Sequence, residues 1–184
     1  MLNSTRGQFL RVTSFTSNGT WTKGNDVGMV HVQVIGGGGG SRSTVNGNSG
    51  GTSSFGSHCN STGGSGGTAT VGGVGGAGNS GDINLQGESG GNAFKYDLYS
   101  PGGVSFYGKY GVGGGSVSTA SYYSEFSGST VPAVPRSAGG GGGSSVKIIN
   151  EAALGSSESI TIGGGGSGAV AGFPGIVIVY EYSK

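Results

Sequence analysis

The chain has 184 residues, 47 of them glycine, and a formal charge of +1 from nine basic and eight acidic side chains. So little charge leaves no footprint for a phosphate backbone, which excludes nucleic acid as an expected partner. Glycine this abundant without a strict period usually marks a disordered chain, but here the aliphatic and aromatic residues gather into strand-like blocks, as those of a solvated chain do not.

The first block, GQFLRVTSFTSNGTWT, predicts strands near Phe9–Phe15 and over 20–22, separated by the turn-forming pair Asn18-Gly19. Trp21, at a strand start, reads as core. Residues 30–35 alternate, with Val30, Val32 and Val34 on one face and His31, Gln33 and Ile35 on the other. His31, opposite the valines, is expected at a surface or subunit interface. Five glycines follow this strand directly, and further glycine-rich runs lie at 63–67, 71–78, 111–115, 139–143 and 163–166. SSVKIIN and ESITIG predict two more strands, with Val146/Ile148 and Ile160/Ile162 as inward pairs. Between them EAAL is the one plausible helical turn. PGIVIVYEYS predicts a last strand, with Ile176, Ile178, Tyr180 and Tyr182 on one face and Val177, Val179 and Glu181 on the other.

Six strands without helical periodicity predict an all-β fold, an antiparallel β-sandwich with a jelly-roll-like frame. The expected organisation is one domain, 1–184, with a strand frame over about 7–35 and 144–184 and a glycine-rich excursion over about 36–143. The last strand is expected to pair near the first ones. A single glycine run reads as a flexible linker, but a repeated set in a one-domain chain reads as packing. Side-chain-free segments can lie close together, and their N–H and C=O groups must then find partners laterally. Regular polyglycine-II-like helices and tightly folded glycine loops both satisfy that requirement.

These residues resemble the glycine-rich domain of tail fibres and receptor-binding proteins of tailed bacteriophages. The likeness begins at SFTSNGTWTKGNDVGMVHVQVIGGGGGS and continues through GGTSSFGSHCNSTGG, GGVGGAGNSGDINLQGESGG, SAGGGGG and SITIGGGGSG to GFPGIVIVYEY. The blocks come in the family's order; TSSFG, SGDINLQGESGG and PGIVIVYEY are the most specific. The turn KGNDVG lacks the family's usual proline, and the aromatic stretch 92–123 matches no family pattern. Phage adhesins with packed polyglycine cores are a more distant likeness. The resemblance implies a virion tail protein that binds a glycan or outer-membrane protein on a bacterial surface. It also implies other tail subunits as partners and a homo-oligomer, with the trimer common among fibres. The contrasting expectation is a non-adhesive tail-tip or fibre-joining component. With a first strand within about ten residues of Met1, any attachment segment is expected to be minimal.

Enzymatic chemistry is not expected. Gly63-Gly64-Ser65-Gly66-Gly67 fits the nucleophile-elbow pattern but lacks the strand and helix that elbow requires. Gly108-Lys109-Tyr110 lacks the hydroxyl residue of a phosphate loop, and the scattered carboxylates form no glycosidase pair. One cysteine, Cys59, excludes an intramolecular disulfide and reads as a small hydrophobe. With only two histidines no zinc site is expected, and no cofactor. No apolar run of about 18 residues predicts membrane insertion. The N-terminal stretch MLNSTRGQFLRV is too short in apolar residues for a signal peptide, so a cytosolic origin, or release from a host cell by lysis, is expected.

The candidate recognition residues are aromatic: Phe94, Tyr96, Tyr99, Phe106, Tyr107, Tyr110, Tyr122 and Tyr123, with Phe126 beside them. Tyrosine among Ser, Gly and Asn offers contact area at low entropic cost and keeps a hydroxyl for a polar partner. The same rings could instead cover a glycine bundle that has no side chains of its own.

Overall fold

In a computed structural model of the chain, the described residues are 7–42, 44–93, 101–105, 111–115 and 137–184. All six expected strands are present: β1 (Phe9–Phe15), β2 (Gly19–Thr22), β3 (Val27–Ile35), β8 (Ser144–Asn150), β9 (Ser157–Thr161) and β10 (Ile176–Ser183). Four short strands from within the glycine-rich excursion join them: β4 (Ser53–Phe55), β5 (Cys59–Ser61), β6 (Gly78–Asn79) and β7 (Ile83–Leu85). The expected EAAL turn is a single 3₁₀ turn, Glu151–Ala153.

Two antiparallel five-stranded sheets result, in the orders β1-β10-β3-β8-β7 and β2-β9-β4-β5-β6. The last strand lies between β1 and β3, as expected. Their inner faces meet over one apolar core. Val30, Val32, Val34, Val177 and Val179 of the first sheet pack against Trp21, Phe55, Cys59 and Ile160 of the second. Burying each valine contributes on the order of 1.5 kcal/mol. The frame is less cleanly divided from the excursion than expected, since β4–β7 complete both sheets and the glycine runs after β9 join the bundle described below.

One inward pair is corrected. The register sets Ile149 opposite Val30 and Ile148 opposite His31. Ile149 is therefore buried and Ile148 half-exposed, and Val146, two residues along, shares the outward side. Two adjacent isoleucines leave the parity of that strand ambiguous until its neighbour fixes it. Ile160 does point inward, and Ile162 packs half-buried against the core.

Glu181 also faces inward and is almost wholly buried. Its Oε1 accepts hydrogen bonds from Trp21 Nε1 at 2.9 Å and Arg11 Nε at 2.8 Å. A buried carboxylate is tolerated when it is paired and hydrogen-bonded; this one ties the second sheet's Trp21 to the edge strand β1.

Candidate functional site

From one end of the sandwich the chain continues without side chains. Gly36 follows β3, Thr62 follows β5, Gly143 precedes β8 and Gly175 precedes β10. The segment 36–42 then donates backbone hydrogen bonds to three neighbours in strict rotation. Gly36, Gly39 and Arg42 donate to Gly143, Gly140 and Ser137; Gly37 and Gly40 to Gly51 and Asn48; Gly38 and Ser41 to Phe173 and Val170. Its carbonyls accept from three others, by way of Gly64 and Gly67, Gly166 and Ala169, and Gly114.

A period of three, with bonding between segments, is the pattern of an extended threefold helix that makes no internal hydrogen bonds. The segment 137–143 repeats it. Ala138 and Gly141 donate to Gly91 and Glu88, Gly139 and Gly142 to Gly114 and Gly111, Gly140 and Gly143 to Ser65 and Thr62. It accepts from 36–42, from Gly73 and Gly76, and from Gly103. Ten segments thus pack side by side, near 36–42, 47–51, 62–67, 72–77, 87–91, 101–105, 111–115, 137–143, 163–169 and 170–175, with 36–42 and 137–143 each ringed by six others. This is a polyglycine-II-like bundle, and its two inner segments are buried along Gly36–Ser41 and residues 137–143.

Glycine is required here for space. A Cβ at Gly36 or Gly39 would enter the carbonyls of Thr62 and Ser65, and one at Gly37 or Gly40 those of Gly164 and Ser167. The direction of the clash rotates with the same period as the hydrogen bonds. Interdigitated main chain leaves no room for a methyl.

Where the bundle meets the sheets, small hydroxyls complete the bonding. Ser61 Oγ donates to Val34 O at 2.9 Å, and Ser53 Oγ accepts from Gly163 N at 2.9 Å. At the opposite end, remote from the sandwich, Ser, Thr and Asn take over from glycine and close the turns. Ser41 Oγ accepts from Val170 N, Asn48 Nδ2 donates to Ser167 Oγ, Asn92 Oδ1 accepts from Gly72 N, and Ser137 Oγ donates to Thr68 O. This tip is the candidate functional surface.

Phe94, Tyr96, Tyr99, Phe106, Tyr107, Tyr110, Tyr122 and Tyr123 lie outside the described residues. The described residues bracketing them fall at two ends of the bundle. Gly91 bonds Pro101 and Ala93 bonds Thr70 at the tip, and Gly114 and Ser137 also end there, against Gly39 and Arg42. Gly111, by contrast, bonds Pro174 and Gly142 beside the sheets, and Ser105 belongs to that end as well. The chain positions flanking 94–100 and 116–136 are therefore gathered at the tip, while those flanking 106–110 are not.

The tip also presents three apolar side chains that sequence reasoning did not single out: Val45, 70% exposed, and the half-exposed Val71 and Val170. Their signal was a lone valine in each of three polar, glycine-containing turns (STVNGNS, TATVGG, SGAVAG). Among the described residues no group of His, Cys, Asp and Glu could hold a metal ion. Cys59 is buried, and that burial pushes its thiol up to about 11. The His58–Glu158 contact, 3.1 Å, sits in the second sheet, away from the tip. Comparison with known protein families, with curated proteins and with solved structures finds no match.

Proposed function

We propose that the chain is a receptor-binding protein of a bacteriophage tail, which attaches to the host surface through loops at the tip of its glycine bundle. The observation that carries this reading is the convergence of turns at one end of a laterally bonded bundle. Two of its segments are hydrogen-bonded to six neighbours each, which gives the described turns a fixed base, and a site ordered before binding loses little entropy on binding. The sequence resemblance to phage tail proteins supplies the context. The aromatic residues of 94–100 and 116–136, whose flanks meet at the tip, are the proposed contacts, with Val45, Val71 and Val170 around them. Several copies on one virion would raise avidity without a tight single site.

The test is adsorption of the purified chain to whole host bacteria. Replacing Tyr96, Tyr99, Tyr122 and Tyr123 by serine is expected to abolish binding while the circular dichroism spectrum persists. Undiminished adsorption by that folded variant would reject the tyrosine contacts. A parent chain that binds virions or tail subunits but no cells would reject adhesion and favour a structural tail-tip role.

A further inference from the structure

An open cleft of about 260 Å³ lies where the bundle joins the first sheet, at the end opposite the tip. It forms where the inner run 137–143 becomes β8. Its floor includes Ser144, which the registers set between Ile35 of β3 and Leu85 of β7. Leu85, Gln86 and Glu88 line one part of it and Val104 another. Ser144 is the residue that the fold does not explain. It is only 2% exposed, and its Oγ is buried without a hydrogen-bond partner. The other serines at this seam are used: Ser53 and Ser61 each bond a backbone group. Most buried hydroxyls in folded proteins are paired, and leaving one unpaired is costly. Alanine would fill the same space without that cost.

We infer that the cleft binds one sugar unit of a neutral glycan, with Ser144 Oγ bonded to a sugar hydroxyl. No Lys, Arg or His is among the described residues that line it, so nothing there answers the charge of an anion. The serine hydroxyl both donates and accepts, as a sugar hydroxyl does. Gln86 turns its amide nitrogen toward Gly75 O at 3.4 Å, which leaves its oxygen to accept, as the Glu88 carboxylate does. Glu88 is exposed, and a carboxylate in water contributes little to holding a cation, so hydroxyl donors are favoured over an ammonium group. Leu85 and Val104, 37% and 45% exposed, offer the apolar surface on which the C–H face of a sugar ring can rest. The volume lies just under the roughly 300 Å³ at which pockets for drug-sized ligands begin, which suits a single ring. Because the cleft and the tip are at opposite ends of the bundle, sugar binding here and cell attachment there can each fail alone.

Saturation-transfer NMR of the full chain tests the proposal. The probes are the methyl glycosides of glucose, galactose and N-acetylglucosamine, each at about 10 mM, which reaches millimolar affinity. At least one is expected to bind. Ser144→Ala is expected to weaken that binding about tenfold, the worth of one hydrogen bond. The same variant is expected to melt no lower than the parent, because the hydroxyl it removes has no partner in the free chain. Val71→Lys at the tip is expected to leave sugar binding unchanged. Failure of all three sugars to bind the folded parent, which would leave the cleft to water, overturns the proposal. Binding undiminished in folded Ser144→Ala does so too.

Discussion

Replacing Gly90 by alanine puts the backbone-packing argument to a quantitative trial. The added Cβ would lie 2.5 Å from the carbonyl oxygens of both Ala138 and Gly139, on the inner segment 137–143, where real Cβ contacts essentially never fall below 3.0 Å. Both carbonyls must retreat by about half an ångström. Each already accepts a hydrogen bond, from Gly73 N at 2.8 Å and from Gly103 N at 2.9 Å. The shift stretches both beyond the usual range of about 3.2 Å. Weakening two buried bonds costs about 1–3 kcal/mol each, offset by about 0.4–1 kcal/mol from the less flexible unfolded chain. The net loss is about 3 kcal/mol, a fall in Tm of about 6–12 °C for a chain of this size. The control is Gly164→Ala, whose Cβ would have nothing within 4 Å; it is expected to melt at or slightly above the parent. Melting curves followed by circular dichroism decide the matter. If the two alanines melt within about 2 °C of each other, the bundle is not held by close main-chain approach.

Removing the Ser53 hydroxyl (Ser53→Ala) orphans the Gly163 amide at the seam and is expected to cost about 1–2 kcal/mol in urea unfolding. Glu181→Gln keeps the shape but weakens two charge-assisted bonds, and is expected to lower stability by about 1–2 kcal/mol, measured the same way. Cys59, with its thiol raised from 9.0 to about 11, stays protonated in the folded chain while the unfolded chain ionises. Stability attributable to it is therefore full below pH 9 and lost between pH 9 and 11, by up to about 2–3 kcal/mol. Melts of the parent against Cys59→Ala across that window read the difference, and parallel pH profiles would contradict it. The same thiol is expected to resist a thiol-reactive dye at pH 8 until denaturant is added.

The sequence made the long strands plain because their alternation is local. β3 and β10 show it over Val30–Val34 and Val177–Val179, and their inner valines are in the core. The parity of IVIVYEY was readable, yet nothing local shows which side is buried, so a glutamate inside was not foreseen. That depended on Trp21 and Arg11, both about 160 residues or more away in the chain. In β8 the doublet Ile148-Ile149 admits either parity, and pairing with β3 chose the second. The strands β4–β7 are two or three residues long, too short for a period to show, although TSSFG contained β4 and DINLQ contained β7. Glycine runs carry no side chain to record a neighbour, so their lateral role was legible while their pairing was not. At the tip the small polar residues that close the turns look, in sequence, like ordinary linker.

Threefold rotation of the donors ties the length of each inner run to whole turns. Excising one glycine from residues 139–143 would turn every following amide by about 120°, toward the wrong neighbour. Excising three would restore the sense of each bond and shorten the rod by about 9 Å. Such a scaffold is expected to lengthen or shrink in steps of three when the runs change together, while its tip turns are free to vary one residue at a time.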